Sequence, residues 1–362
     1  MNSRSQAKYS IIAVFVGLSV GSLFFLPFNV NPLEAYRTMF QTAFLDTQGL
    51  GTTLTKSTPL IFVSLGTLVA WKSGFYYLGF QGTLYLGATG AAIVALASRD
   101  GHLLGNCPSF LIFFVALIAS FLFGGLWSLI VGLLKVKNGG NEVLLSLMFN
   151  YIAIYLVNYL VTRPLRASGS VPQTERFPSK VILPRLFGEL NDLHLGFVVA
   201  IISASIVWWS FRFSKIGYEV TSLGLNEKAS RFAGINSVKV TLLASFTAGG
   251  LGGLAGWSQV LGVQYRLLDG LDQSTGFEGI VTSLLGSLNS IGAVFASILY
   301  GGLAYGSQVM QRRTGIPSSV ASMIQGIIVF LVLIMPFWKN FLKNNASALK
   351  YSQLFRRENT HE

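Results

Sequence analysis

Apolar stretches of membrane-crossing length recur along the chain, parted by short polar or glycine-rich connections. A spanning helix needs about 20 predominantly apolar residues. On that measure the pattern predicts an all-α membrane protein with about ten spans, near 9–30, 57–71, 75–97, 109–134, 143–162, 194–211, 239–263, 276–288, 290–311 and 318–338. The second and the eighth are short for full crossings. Short, glycine-interrupted spans often mark discontinuous helices beside a substrate path. No Ala-x-Ala-like cleavage site follows the first run, so it reads as a retained helix rather than a signal peptide. The expected organisation is one transmembrane domain over 1–362, with aqueous loops at 163–193 and 212–238 and a tail at 339–362.

Composition agrees with that reading. Apolar residues make up 52% of the chain and charged residues only 11%, against about 25% charged in soluble domains. The single Cys107 excludes an internal disulfide and a Cys-cluster metal site, and three scattered His residues give no metal-ligand spacing. No metal site is expected. The net charge of +12 is not gathered on an aromatic-interleaved soluble domain, so nucleic acid is not expected as a partner. Anionic membrane lipid at the cytoplasmic face explains the excess better.

With ten spans, both termini share one side with most Lys and Arg, including Arg4, Lys8, Lys72, Lys135, Lys137, Arg212, Lys215, Lys228 and Arg231. The positive-inside rule places that side in the cytoplasm of the cell membrane. Loop 163–193 then lies outside. It mixes Arg163, Arg166, Arg176, Lys180 and Arg185 with Glu175, Glu189 and Asp192, and its prolines argue against a long helix. Either it meets a soluble extracellular protein through charged contacts, or it is a plain connector. The basic tail after Phe337 reads as a lipid-facing or disordered cytoplasmic end.

Several patterns stand out within the spans. Gly79-Phe80-Gln81-Gly82 opens the third, and Gly276-Phe277-Glu278-Gly279 opens the eighth, which runs the other way. Spans 2–5 and 7–10 would then be inverted halves with a binding site between them near the midplane. In the seventh span, Gly249/Gly253 and Gly252/Gly256 sit at the four-residue spacing that lets helices approach closely. Tight packing and a sliding contact for alternating access both fit. Glu142 reads as an ordinary boundary residue near Lys135 and Lys137. Asn150, deep in the fifth span, suits an interhelical hydrogen bond more than a substrate contact. Glu278 is either a pathway carboxylate or an interfacial one favoured by a helix N-terminus. Trp257 and Gln259 are weaker candidates. No G-x-S-x-G elbow and no H-E-x-x-H helix occurs, so covalent catalysis is not expected.

Three segments in the right order carry a family resemblance: Asn141-Glu142-Val143 with Met148-Phe149-Asn150-Tyr151-Ile152-Ala153, Gly224-Leu225-Asn226 through Gly234-Ile235, and Gly276-Phe277-Glu278-Gly279-Ile280-Val281 through Gly286. Together they resemble permease subunits of bacterial ATP-binding-cassette importers for simple sugars and nucleosides, in the branched-chain amino acid/ribose-type permease superfamily. The resemblance implies a second permease, the same or paralogous, a pair of ATPase subunits, and an extracellular substrate-binding protein. No G-x-x-x-x-G-K-[ST] loop occurs, so ATP would sit on the partner and this chain would bind no cofactor. It also implies that Asn226, Glu227, Lys228, Ala229, Arg231 and Gly234 form a coupling segment: a short helix capped by Asn226, with Glu227 at its positive end, seated on the ATPase. Without the resemblance the same loop suits lipid headgroups.

Where such permeases usually carry "fNIGxEGQ", this chain has Tyr77 for the Asn, Gln81 for the Glu and Thr83 for the Gln. The exchange removes a charge from a low-dielectric region while Gln81 keeps its hydrogen-bonding capacity, and Tyr77 adds an aromatic face for a ring. Tyr77, Gln81, Thr83, Asn150 and Glu278 are therefore the candidate pathway residues for a nucleoside or related sugar. The rival function is a secondary transporter driven by a proton or sodium gradient, which also uses inverted repeats and broken helices.

Overall fold

The computed structural model describes residues 19–22, 31–99, 104–188, 191–271 and 274–315, with scattered positions from 317 to 331. Most of the first and tenth predicted spans, and the tail 339–362, lie outside the described residues. The chain divides into a unit of residues 1–39 with 306–362 and a larger unit of residues 40–305. In the smaller unit, α1 (Pro32–Phe40) buries Ala35 and Met39. A π-helical turn, Gln41–Leu45, opens the larger unit.

There follow α2 (Thr47–Lys72), α3 (Phe80–Ala97), α4 (Ser109–Asn138), α5 (Glu142–Thr162), α6 (Gly196–Phe213), α7 (Lys215–Leu225), α8 (Glu227–Phe232), α9 (Ser237–Gln259), α10 (Thr275–Leu285) and α11 (Ser290–Thr314). The described residues contain no strand, only two isolated bridges. Seven of these helices are long and apolar enough to cross a membrane: α2, α3, α4, α5, α6, α11, and α9 with its π-helical extension to Gln264.

Two expectations about span length change. The second span is a 26-residue helix, not a short one. Its first turns, Thr47–Lys56, are too polar to register as membrane-compatible, yet Gly51, Thr53 and Thr55 are buried against protein rather than lipid. The third begins at Phe80, five residues later than expected, because Ser73–Gly79 is a non-helical hinge. The eighth remains short: α10 has 11 residues, about 16 Å of helix where a crossing needs about 30 Å. Ser287 and Leu288 take left-handed backbone conformations (φ 55° and 51°), turning the chain into α11.

Burial runs opposite to hydropathy. In α2 and α3, 89% and 83% of the apolar window is buried, against 28% in α4, the most apolar helix. Helices inside a membrane bundle need close packing rather than apolar side chains, so they are built from small residues. Helix α9 shows how. Gly249 and Gly253 press on Gly124 and Ser120 of α4, while Gly252 and Gly256 press on Thr83 and Leu84 of α3. A Cβ on Gly253 would collide with the Ser120 carbonyl, and one on Gly256 with the Leu84 carbonyl. The two four-residue pairs therefore seat one helix against two neighbours. Ser245 ties the same contact by donating to the Ser128 carbonyl at 2.7 Å.

Candidate functional site: a braced hinge and an exposed loop face

The first N–H groups of any helix lack partners within it. Helix α3 follows Gly79, which has no side chain to cap it. Asn150 of α5 supplies the cap from across the bundle. Its Oδ1 accepts from the Gly82 N–H at 2.7 Å, and its Nδ2 donates to the Leu78 carbonyl at 2.9 Å. One turn earlier, Ser146 Oγ accepts from the Leu78 N–H at 3.1 Å. Gln81 repeats the device: its Oε1 accepts from the Gly276 N–H, near the start of α10, at 2.8 Å. The two Gly-Phe-x-Gly motifs thus meet at the N-terminal ends of α3 and α10. An amide suits this place because it offers an acceptor without a charge.

Tyr77, Gln81, Thr83 and Asn150 are all buried. The Tyr77 ring lies between Phe75 (5.6 Å, stacked) and Phe80 (5.1 Å, edge-on), and its hydroxyl donates to the Gly79 carbonyl at 3.1 Å. Its aromatic face is used by protein in this conformation. Thr83 donates to the Phe80 carbonyl at 3.0 Å and packs on Gly252. Glu278 is half-buried in the first turn of α10 and accepts from Ser274 Oγ at 2.8 Å. The structure joins Tyr77, Gln81 and Asn150 through the hinge and α3, and sets Thr83 and Glu278 on separate contacts. Trp257 is fully buried with its ring against Phe113 (5.3 Å), and Gln259 is half-buried.

Glu142 is not the plain boundary residue that its position suggests. Its carboxylate pairs with Lys135 Nζ at 2.7 Å and accepts from the Tyr76 N–H at 3.5 Å, while Lys135 also donates to the Gly74 carbonyl at 3.1 Å. Through Glu142 the pair holds the hinge from the same helix as Asn150, two turns earlier. Two neighbouring opposite charges seven residues apart were the available signal, but their target in 74–76 was not.

The 212–238 segment folds into α7 and α8. Asn226 Oδ1 accepts from the Ala229 N–H at 3.0 Å, capping α8. Glu227 sits in its first turn and pairs with Arg231 at 2.7 Å. Gly234 closes the element in a left-handed conformation (φ 81°). Val220 and Leu223 pack with Val240 of α9, anchoring the element. Gly224 lies so close to the Lys72 carbonyl that a Cβ would collide with it. Two apolar side chains point away: Leu225 is 82% exposed and Phe232 is 95% exposed. Both are apolar positions in an otherwise polar stretch of sequence. A cavity of about 790 Å³ lies between this element and the hinge, lined by Tyr76, Lys135, Glu142, Asn226 and Arg231 among others.

Loop 163–193 is stitched down rather than free. Its Thr174, Phe177 and Leu183 N–H groups donate to carbonyls of Leu267, Tyr265 and Leu261 at 2.9–3.1 Å. Glu175 pairs with Arg99, and Lys180 donates to the Gly105 carbonyl at 2.7 Å. His194, at the end of this region, is buried, and burial lowers its pKa to about 4.

Residues 49–333 match the family described as the permease component of branched-chain amino acid transport systems. The chain belongs to this permease family. The permease is 31% identical to the guanosine ABC transporter permease protein NupP of Bacillus subtilis, over 91% of its own length and 93% of the relative's. It is 27% identical to the glucose ABC transporter permease protein TsgB13 of Haloferax volcanii, over 91% and 88%. To the nucleoside ABC transporter permease protein NupB of Lactococcus lactis it is 27% identical, over 99% and 98%. No solved structure gives a significant match to the permease.

Proposed function

We propose that this permease is the membrane subunit of an ATP-driven importer that moves nucleosides or related simple sugars by alternating access. The observation that carries the coupling is the placement of α7 and α8. They press on the end of α2 at Gly224, beside a hinge that leads through Gln81 to the start of α10. An ATPase seated on Phe232, Leu225, Lys228 and Arg231 would push on Lys72–Gly79, and the hinge would pass that motion to α3 and α10. The pathway role of Tyr77, Gln81, Thr83, Asn150 and Glu278 then lies in holding the two helix starts together and letting them part. Gly249, Gly252, Gly253 and Gly256 provide the smooth contact along which α9 moves against α3 and α4.

In this reading residues 1–362 carry ten spans with inverted halves, 2–5 and 7–10. Both termini and 212–238 are cytoplasmic, and 163–193 faces the substrate-binding protein. A second permease, the same or paralogous, completes the path, ATP binds the partner ATPase, and anionic lipid neutralises the basic inner face. The substrate class is argued from the names of the relatives, two of three being nucleoside or guanosine permeases.

The assembly is tested by co-purification of the tagged permease with the co-expressed ATPase subunit. Exposed positions seldom change stability by more than about 0.5 kcal/mol, so Phe232→Asp should leave the permease folded and monodisperse. The expected result is loss of the ATPase from Phe232→Asp and weakened retention in Arg231→Glu, with full retention in the unaltered permease. Full ATPase retention in Phe232→Asp and Arg231→Glu together would contradict the coupling assignment.

A further inference from the structure

Three long helices of the larger unit each turn one face away from the protein, and the chemistry of these faces differs. Helix α4 exposes Phe110, Phe114, Ile118, Leu122, Leu126 and Ile130. Helix α6 exposes Val198, Ile202 and Ile206. Hydrocarbon surfaces of this kind suit lipid. Helix α5 buries Ser146, Asn150, Ala153, Val157 and Val161, and its opposite face carries a line of Tyr151, Tyr155 and Tyr159, exposed by 64%, 69% and 62%, flanked on one side by exposed Ile152 and Leu156.

These tyrosines recur every fourth residue, so they stack along one face about 6 Å apart. Aromatic residues are common where a helix crosses the membrane surface. That does not explain Tyr151 and Tyr155, which lie within about 5 Å, along the axis, of the middle of a 21-residue helix. A phenol turned towards hydrocarbon at that depth forfeits its hydrogen bonds. The polar line continues on the same face through half-buried Asn158 and Thr162 to the start of loop 163–193, whereas Leu144 and Met148 make the other end apolar. A polar stripe running from mid-helix to one membrane surface is what water and a polar solute require.

We propose that the face of α5 carrying Tyr151, Tyr155 and Tyr159 lines the aqueous path and receives the flat ring of the substrate, a nucleobase, by stacking. The phenol hydroxyls meet its polar edge, and Leu144 with Met148 forms the apolar stretch beyond. Aromatic side chains stack on any base face and so tolerate a range of nucleosides. This names a ring-recognition surface apart from the buried Gln81–Asn150 cluster, in which Asn150 bonds to Gly82 and Leu78 and Gln81 bonds to α10. The substrate class rests on the transport reading above; the aqueous lining does not.

The test uses the assembled importer in cells. Cys107 is the single native cysteine, so Cys107→Ser gives a thiol-free background into which Tyr151→Cys, Tyr155→Cys, Phe114→Cys or Ile202→Cys is placed. Only hydrated thiols ionise and react, so a charged, membrane-impermeant methanethiosulfonate should label the two α5 positions at least about tenfold faster than the two controls. Added guanosine should slow labelling of Tyr155→Cys. In the unlabelled protein, Tyr155→Phe, which keeps the ring and loses the hydroxyl, should reduce guanosine uptake only in part, and Tyr155→Ala should lose most of it. Labelling of α5 as slow as that of Phe114→Cys would overturn the path and show a lipid face. Slow labelling with ready cross-linking of two subunits at Tyr155→Cys would overturn it in favour of a dry subunit interface. Fast labelling that guanosine does not affect would overturn the stacking role and the nucleoside reading while the aqueous lining stands, so the two failures are separable.

Discussion

Replacing Asn150 by alanine removes both bonds that the side chain makes, to the Gly82 N–H at 2.7 Å and the Leu78 carbonyl at 2.9 Å. The first matters more. Gly82 is in the first turn of α3, where its N–H has no partner within the helix, and the space around it is filled by Ala153 and Asn150 itself. Interhelical side-chain bonds in membranes average only about 0.6 kcal/mol because the unfolded chain finds other partners. A buried donor left with no acceptor costs about 1–3 kcal/mol. The closed packing at Gly82 makes the second figure the relevant one, so Asn150→Ala should destabilise the fold by about 2 kcal/mol. Asn158 on the outward face of the same helix is the control, since substitutions away from buried networks stay within about 0.5 kcal/mol. Denaturation midpoints of the purified complex in detergent would give both values. Equal midpoints for Asn150→Ala and Asn158→Ala would refute the capping argument.

Other expectations follow from the same geometry. A Cβ at position 253 meets the Ser120 backbone, so Gly253→Ala must part α9 from α4 and should lower the yield of folded protein on size-exclusion chromatography. Gly252→Ala meets side-chain atoms of Thr83 and Phe80 rather than backbone, and should be milder. Gly224→Ala meets the Lys72 carbonyl; it should leave ATPase binding intact and reduce transport per ATP hydrolysed. His194 has its pKa lowered to about 4 from 6.5 by burial. The unfolded chain therefore binds the extra proton between those values, so the stability contributed by neutral His194 is full above pH 6.5 and lost as the pH falls towards 4. Thermal unfolding across pH 4–7 should show this acid sensitivity, and His194→Gln should reduce it.

The membrane class was legible because composition and run length report directly on the solvent a chain requires. The capped helix at Asn226–Phe232 and the glycine pairs of α9 were legible because both are local spacings. Span 2 is longer than its apolar run for a physical reason: hydropathy measures compatibility with lipid, and Gly49, Gly51, Thr53 and Thr55 in its first turns are buried against protein. The bonds Asn150–Gly82 and Gln81–Gly276 join positions 68 and 195 residues apart, and nothing local in a single sequence announces such a pair. The two Gly-Phe-x-Gly motifs hinted that the segments were related, not that they touch. Tyr151, Tyr155 and Tyr159 stood in plain i, i+4 spacing, but which face of α5 the bundle covers became apparent only from the packed helices.

Uptake of labelled guanosine, with and without this permease, after the proton gradient is collapsed while ATP is maintained, bears on the function as a whole. An ATP-driven importer predicts permease-dependent uptake that survives the collapse and stops when the partner ATPase is inactivated. Permease-dependent uptake that vanishes with the gradient and ignores the ATPase would contradict it and make the chain a secondary carrier.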